Sequence, residues 1–116
     1  MITSDSLNYV AERSKLNTNV RRFRPNILLK TSEPTPALTE QQWLGATLAI
    51  GEVVLRVHSP TIRCSMPGRA QPGFQLAAQM TLPDAIAHHA DRVLGVNINI
   101  LKAGMLRVGD QVRLLE

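Results

Sequence analysis

Leu48-Ala49-Ile50-Gly51-Glu52-Val53-Val54 reads as strand, tight Gly-acid turn, strand. The same form, Leu-x-apolar-Gly-acid-x-Val, returns at Leu106-Arg107-Val108-Gly109-Asp110-Gln111-Val112. Similar hairpins are therefore expected at the two ends of one sheet, although two occurrences do not make a repeat protein. Val53 to Val57 continues as a strand. Val96-Asn97-Ile98-Asn99-Ile100 alternates strictly, which predicts a half-buried strand with Val96, Ile98 and Ile100 inward and both asparagines on its polar face.

Between these strands lie two short helices. Ser4 to Leu16 places Leu7, Val10 and Ala11 on one face, with Ser4 or Asp5 as cap and Asn17 to Asn19 ending the helix. Thr81 to Ala90 opens with a cap residue and Pro83 in its first turn. Thr39 and Gln42 have capping-box spacing, and Trp43 behind them is expected to plug the core. Ser32 to Pro36 and Ser65 to Gly73 read as loops, and Ile27-Leu28-Leu29 as a β-like run. The expected class is mostly β with minor α, a barrel or sandwich.

The chain of 116 residues suits one domain, with residues 1–18 as an N-terminal helix and residues 19–116 as the β core. One cysteine excludes an internal disulfide. Met1 is followed by Ile-Thr-Ser-Asp-Ser rather than a basic and apolar leader, so a cytoplasmic location is expected and a membrane is not. The net charge is +4, and arginine supplies ten of the thirteen basic residues. That bias favours phosphate or carboxylate recognition. Nucleic acid is a poor fit, because stacking platforms need aromatics and the chain has only Tyr9, Phe23, Trp43 and Phe74.

Chemistry concentrates in two places. Pro60-Thr61-Ile62-Arg63-Cys64 holds the lone thiol just past a strand, with a guanidinium directly before it; a thiolate is both the nucleophilic and the metal-binding form, and a neighbouring cation stabilises it. A lone cysteine in an apolar chain also serves as a small core filler. Val20-Arg21-Arg22-Phe23-Arg24-Pro25-Asn26 holds the basic cluster. If extended, it would point Arg22 and Arg24 to one side as an anion clamp, or simply form a charged, solvated sheet edge. His88 and His89 are adjacent and lack the i, i+4 spacing of a zinc helix, so no zinc is expected.

Taken together and in order, Ser6-Leu-Asn, Arg22-Phe-Arg-Pro-Asn-Ile-Leu-Leu, Trp43-Leu-Gly with Leu48-Ala-Ile-Gly, Pro60-Thr-Ile-Arg-Cys, Leu94-Gly-Val and Gly104-Met-Leu-Arg-Val-Gly-Asp-Gln-Val resemble the MOSC domain family. The family is named for the C-terminal domain of molybdenum cofactor sulfurase. The resemblance spans nearly the whole chain and implies a MOSC-type β-barrel that binds the molybdenum cofactor, a pterin bearing a phosphate and a dithiolene. It makes Cys64 the catalytic residue, ligating molybdenum or carrying a persulfide, and makes Arg24 and Asn26 the residues that hold the pterin. Arg22 and Arg63 join them as cofactor-binding candidates on charge and direction, and Asn97 by its place in the pattern. Pyridoxal phosphate is not expected in this chain.

The implied function is a reductase component for N-hydroxylated compounds, served by an electron-transfer protein, or a carrier of the cofactor or its sulfur. The alternative is a non-catalytic barrel remnant that binds an anionic ligand or partner chain through Arg21 to Arg24, with Cys64 inert. Family members usually carry strands ahead of the region matching Ser6, so an incomplete barrel is expected, completed by a second copy, by another chain, or not at all. The chain also has Ile62 where the reductase branch has serine, and Asn97 where an aromatic is frequent.

Overall fold

The computed structural model describes residues 1–31, 35–36 and 38–115. The Ser32–Pro36 loop expected from sequence falls largely outside them. Strand β1 (Ile2–Thr3) runs directly into helix α1 (Ser4–Ser14). The cap is Thr3 rather than Ser4 or Asp5: its hydroxyl oxygen accepts the Ser6 N–H at 3.2 Å. The helix stops short of Leu16 because Lys15 takes the left-handed conformation and donates its N–H back to Ala11. Asn19 begins the next element instead, accepting the Arg21 N–H at 2.9 Å to start the 3-10 turn Val20–Arg22. Strand β2 (Leu28–Leu29) pairs in parallel with β1.

The main sheet is built from β3 (Thr47–Ile50), β4 (Val53–Ile62), β5 (Val93–Lys102) and β6 (Val112–Leu114). Its order is β5-β4-β3-β6, antiparallel throughout. The Leu48–Val54 hairpin forms as its sequence predicts. Gly51 sits at its turn with φ +54, and a Cβ there would come within 3.1 Å of the Met105 carbonyl oxygen, so side chains are excluded on two counts. Helix α2 (Leu82–Ala90) precedes β5 and starts at Thr81, whose side chain makes no capping bond.

The second hairpin does not form. Leu106 to Val108 is not a strand, and only β6 follows the Gly109-Asp110 turn. The Asp110 carboxylate accepts the Arg107 N–H at 2.8 Å, and Glu52 accepts the Met105 N–H at 2.9 Å. One local bond and one long-range bond thus hold residues 105–110 around the Gly51 turn and take the place of a strand ladder.

Two apolar clusters make the core. Ile2, Leu7, Val10, Phe23, Leu82, Ile86, Ala90 and Leu94 pack between the helices and the sheet. Leu29, Leu48, Ile50, Val53, Leu55, Val57 and Val96 fill the sheet's inner face, with Trp43 half-buried against them. Trp43 therefore packs on the core as expected, but from a 3-10 turn (Thr39–Trp43) without the Thr39–Gln42 capping box; Thr39 is buried and Leu38 precedes the turn in a left-handed conformation.

The mostly-β expectation is corrected: helix and strand occur in near-equal shares, and no closed barrel is present among the described residues. Four strands leave both edges of the sheet, β5 and β6, unpaired over much of their length. Register puts Ile100 opposite Leu55, Val112 opposite Ile50 and Leu114 opposite Leu48, all on the inner face. Yet Ile100 and Leu114 are 55% and 61% exposed, so the apolar face extends past what the described chain covers. Ile100 thus points inward by register but is not buried.

Candidate functional site

The segment expected to be extended and clamp-like is a turn. Because Val20–Arg22 is a 3-10 turn, its successive arginines fan out in different directions. Arg22 goes inward and is 3% exposed. Its Nη1 donates to the carbonyls of Pro67 and Arg69, both at 3.3 Å, and its Nη2 to that of Ala77 at 2.7 Å. Nε is buried without a partner among the described residues. Arg22 is therefore a staple through the middle of the 66–77 segment rather than half of an anion clamp. That segment is not featureless: it holds the 3-10 turns Met66–Gly68 and Pro72–Phe74 and a bridge between Gln71 and Leu76.

Arg24 faces outward. It takes φ +53 immediately before Pro25, a left-handed conformation that non-glycine residues rarely adopt. With Asn26 it lines an open groove of about 530 Å³. Arg21, Gln71 and Phe74 form the rest of its polar and aromatic wall, and Val20, Pro25 and Leu28 its apolar flank. The Arg21 guanidinium lies 4.0 Å from the centre of the Phe74 ring, and Gln71 donates to the Arg21 carbonyl at 3.0 Å. Two arginines and two carboxamide residues on one concave surface, with no carboxylate in the lining among the described residues, suit an oxyanion.

Cys64 is exposed, one residue beyond Arg63 and two past the end of β4, as the sequence indicates. Arg63 fixes this strand end. Its backbone N–H donates to Arg92 at 2.7 Å, its Nε to the Leu94 carbonyl at 2.8 Å and its Nη1 to the Phe23 carbonyl at 3.2 Å. Gly95 gives it room, since a Cβ there would stand 3.0 Å from Nη2. Burial lowers the Arg63 pKa, and the neighbouring Cys64 sulfur acts in the opposite direction. Arg63, next to Cys64 in the chain, thus ties this strand end to Phe23, the residue directly before Arg24.

Asn97 lies outside the groove. Its Oδ1 accepts from the Thr61 hydroxyl at 2.9 Å, and its Nδ2 donates to Ser59 and to the Pro60 carbonyl at 3.1 and 3.4 Å. The amide ties β5 to the stretch of β4 that leads to Cys64. Of the sequence candidates, then, Arg24 and Asn26 share the groove, Arg63 and Cys64 adjoin through Phe23, and Arg22 and Asn97 serve the framework. Sequence reasoning missed Gln71 and Phe74, which lie in a segment without periodicity, and placed Arg21 only in the alternative anion-binding reading, not among the cofactor-binding candidates.

A MOSC domain family model matches residues 1–113. The chain belongs to the MOSC domain family. The fold agrees: the crystal structure of YiiM from Geobacillus stearothermophilus superposes with a TM-score of 0.70 at 23% identity. That match takes in 99% of this MOSC domain and 52% of the YiiM chain, so the domain spans about half the length of its solved neighbour. No curated protein matches the sequence.

Proposed function

We propose that this MOSC domain binds the molybdenum cofactor through Cys64 and the Arg24–Asn26 groove, as a cytoplasmic reductase component for N-hydroxylated compounds or as a carrier of the cofactor or its sulfur. The observation that carries the reading is the Arg63 bridge: the residue next to the exposed Cys64 bonds through its guanidinium to the backbone that presents Arg24.

The residues fit the group. MOSC domains are generally associated with the molybdenum cofactor. A soft, exposed thiolate suits a thiophilic metal or a transferred sulfur. Arg24 can fork onto a phosphate, and Asn26 can donate to and accept from a pterin edge. Once bound, the cofactor supplies the redox or sulfur chemistry, which lies outside the reach of the side chains. Arg63 orients the strand end that carries Cys64, and Arg22 holds the 66–77 segment that forms the opposite wall.

Protein produced in a host competent for the cofactor should carry molybdenum, and Cys64→Ser should lose it. Equal molybdenum in both proteins, or none in either, would overturn this reading. A second reading, a non-catalytic module for a partner chain, is favoured by the uncovered inner face at Ile100 and Leu114. It predicts that Ile100→Ser weakens partner capture while Cys64→Ser does not.

A further inference from the structure

We propose that Arg21 is a second anion-binding group of the groove, acting with Arg24 so that the groove takes a doubly charged phosphate monoester in preference to a singly charged diester. This deepens the reading above and rests on it only for the identity of the natural ligand.

Three observations converge on Arg21. It lines the same groove as Arg24. It lies flat enough on Phe74 for a contact of 4.0 Å to the ring centre, which restrains the side chain without consuming an N–H donor. Gln71 adds a bond to the Arg21 carbonyl and so ties the wall that carries Phe74 to the turn that carries Arg21. Among the described residues no acceptor is bonded to either guanidinium, whereas that of Arg22 is occupied by three carbonyls.

Charge then selects the ligand. Among the described residues, the lining includes two full positive charges and no acidic side chain. A phosphate monoester carries close to two negative charges at neutral pH, its second pKa being about 6, and a diester carries one. Each guanidinium can form charge-assisted or bidentate bonds to phosphate oxygens. A restrained arginine also loses less rotamer freedom on binding than a free one. The aromatic contact thus makes Arg21 a prepared donor rather than a solvated surface charge.

The test uses the full chain made in a host unable to synthesise the cofactor, titrated at pH 7.5 and fixed salt with methyl phosphate and dimethyl phosphate, and followed by calorimetry or NMR. Methyl phosphate should bind at least about tenfold more tightly than dimethyl phosphate. Arg21→Ala should weaken methyl phosphate about tenfold and narrow the preference, and Phe74→Leu should give a smaller loss. Arg21 is exposed, so Arg21→Ala should keep the wild-type unfolding midpoint and its binding can be compared directly. Equal binding of the two esters, no methyl phosphate binding by the wild type, or an Arg21→Ala protein that binds as the wild type does would each overturn the proposal. Methyl phosphate binding without molybdenum loading in a competent host would sink the cofactor reading alone. Molybdenum loading with an indifferent Arg21→Ala would sink this one alone.

Discussion

Arg63 and Phe23 are joined across the fold: Nη1 of the arginine donates to the phenylalanine's carbonyl oxygen at 3.2 Å, and its guanidinium stands 5.3 Å from that residue's own ring. The bond couples the strand end bearing Cys64 to the turn bearing Arg24, two segments some forty residues apart in sequence.

Replacing Arg63 should therefore cost stability as well as geometry. Arg63→Ala removes charge-assisted bonds to the Leu94 and Phe23 carbonyls and should lower unfolding free energy by about 2 kcal/mol. Arg63→Lys should recover only part, because an ammonium cannot reproduce the fork. Urea unfolding of the three proteins measures this. Equal midpoints would show the bridge to be idle.

Glu40 is fully buried and accepts the Thr3 N–H at 2.7 Å together with the Ser6 hydroxyl. Glu40→Ala strands both donors where water does not reach them, and a loss of about 3 kcal/mol is expected. Because Thr3 caps α1, hydrogen exchange should quicken first in the opening turn of that helix.

Asp5 responds to pH. Hydrogen bonds from the Thr31 hydroxyl and from the hydroxyl and N–H of Thr35 hold its pKa below the ordinary carboxylate range, against a smaller opposing effect of burial. A depressed folded-state pKa gives stability that is complete above the unfolded value of about 3.9 and is lost as pH falls through the folded value. Asp5→Asn should therefore flatten the acid limb of a stability profile below about pH 4. A mutant whose acid limb parallels that of the wild type would refute the linkage.

Arg22→Met should loosen the 66–77 segment. It leaves the Pro67, Arg69 and Ala77 carbonyls without their donor, at an expected cost of about 3 kcal/mol. Limited proteolysis should cut between Ser65 and Ala77 in the mutant before the wild type is touched.

The sequence shows its structure where bonding is local. The Gly51-Glu52 turn forms the hairpin its flanking runs indicate, and Cys64 falls past a strand because Val53 to Val57 leads straight to it. Arg24 and Asn26 belong to one short motif, and the structure puts both in one groove. What could not be read depends on distant partners. Arg22 turns inward because carbonyls 45 to 55 residues away await it. Leu106 to Val108 has the strand pattern of Leu48 to Ile50, but Glu52, 53 residues away, holds the Met105 N–H that leads into it. Glu40 looks like any surface glutamate until Thr3 and Ser6 close over it.

The backbone at Arg24 has a further meaning. A left-handed residue before proline is a place where glycine would relieve about 1 kcal/mol of strain. An engineer seeking a hardier protein would make that exchange first and, in making it, delete the cation that gives the groove its purpose. Thermostability screens on this chain should thus enrich variants that have gone silent, and should be paired with a ligand readout from the first round.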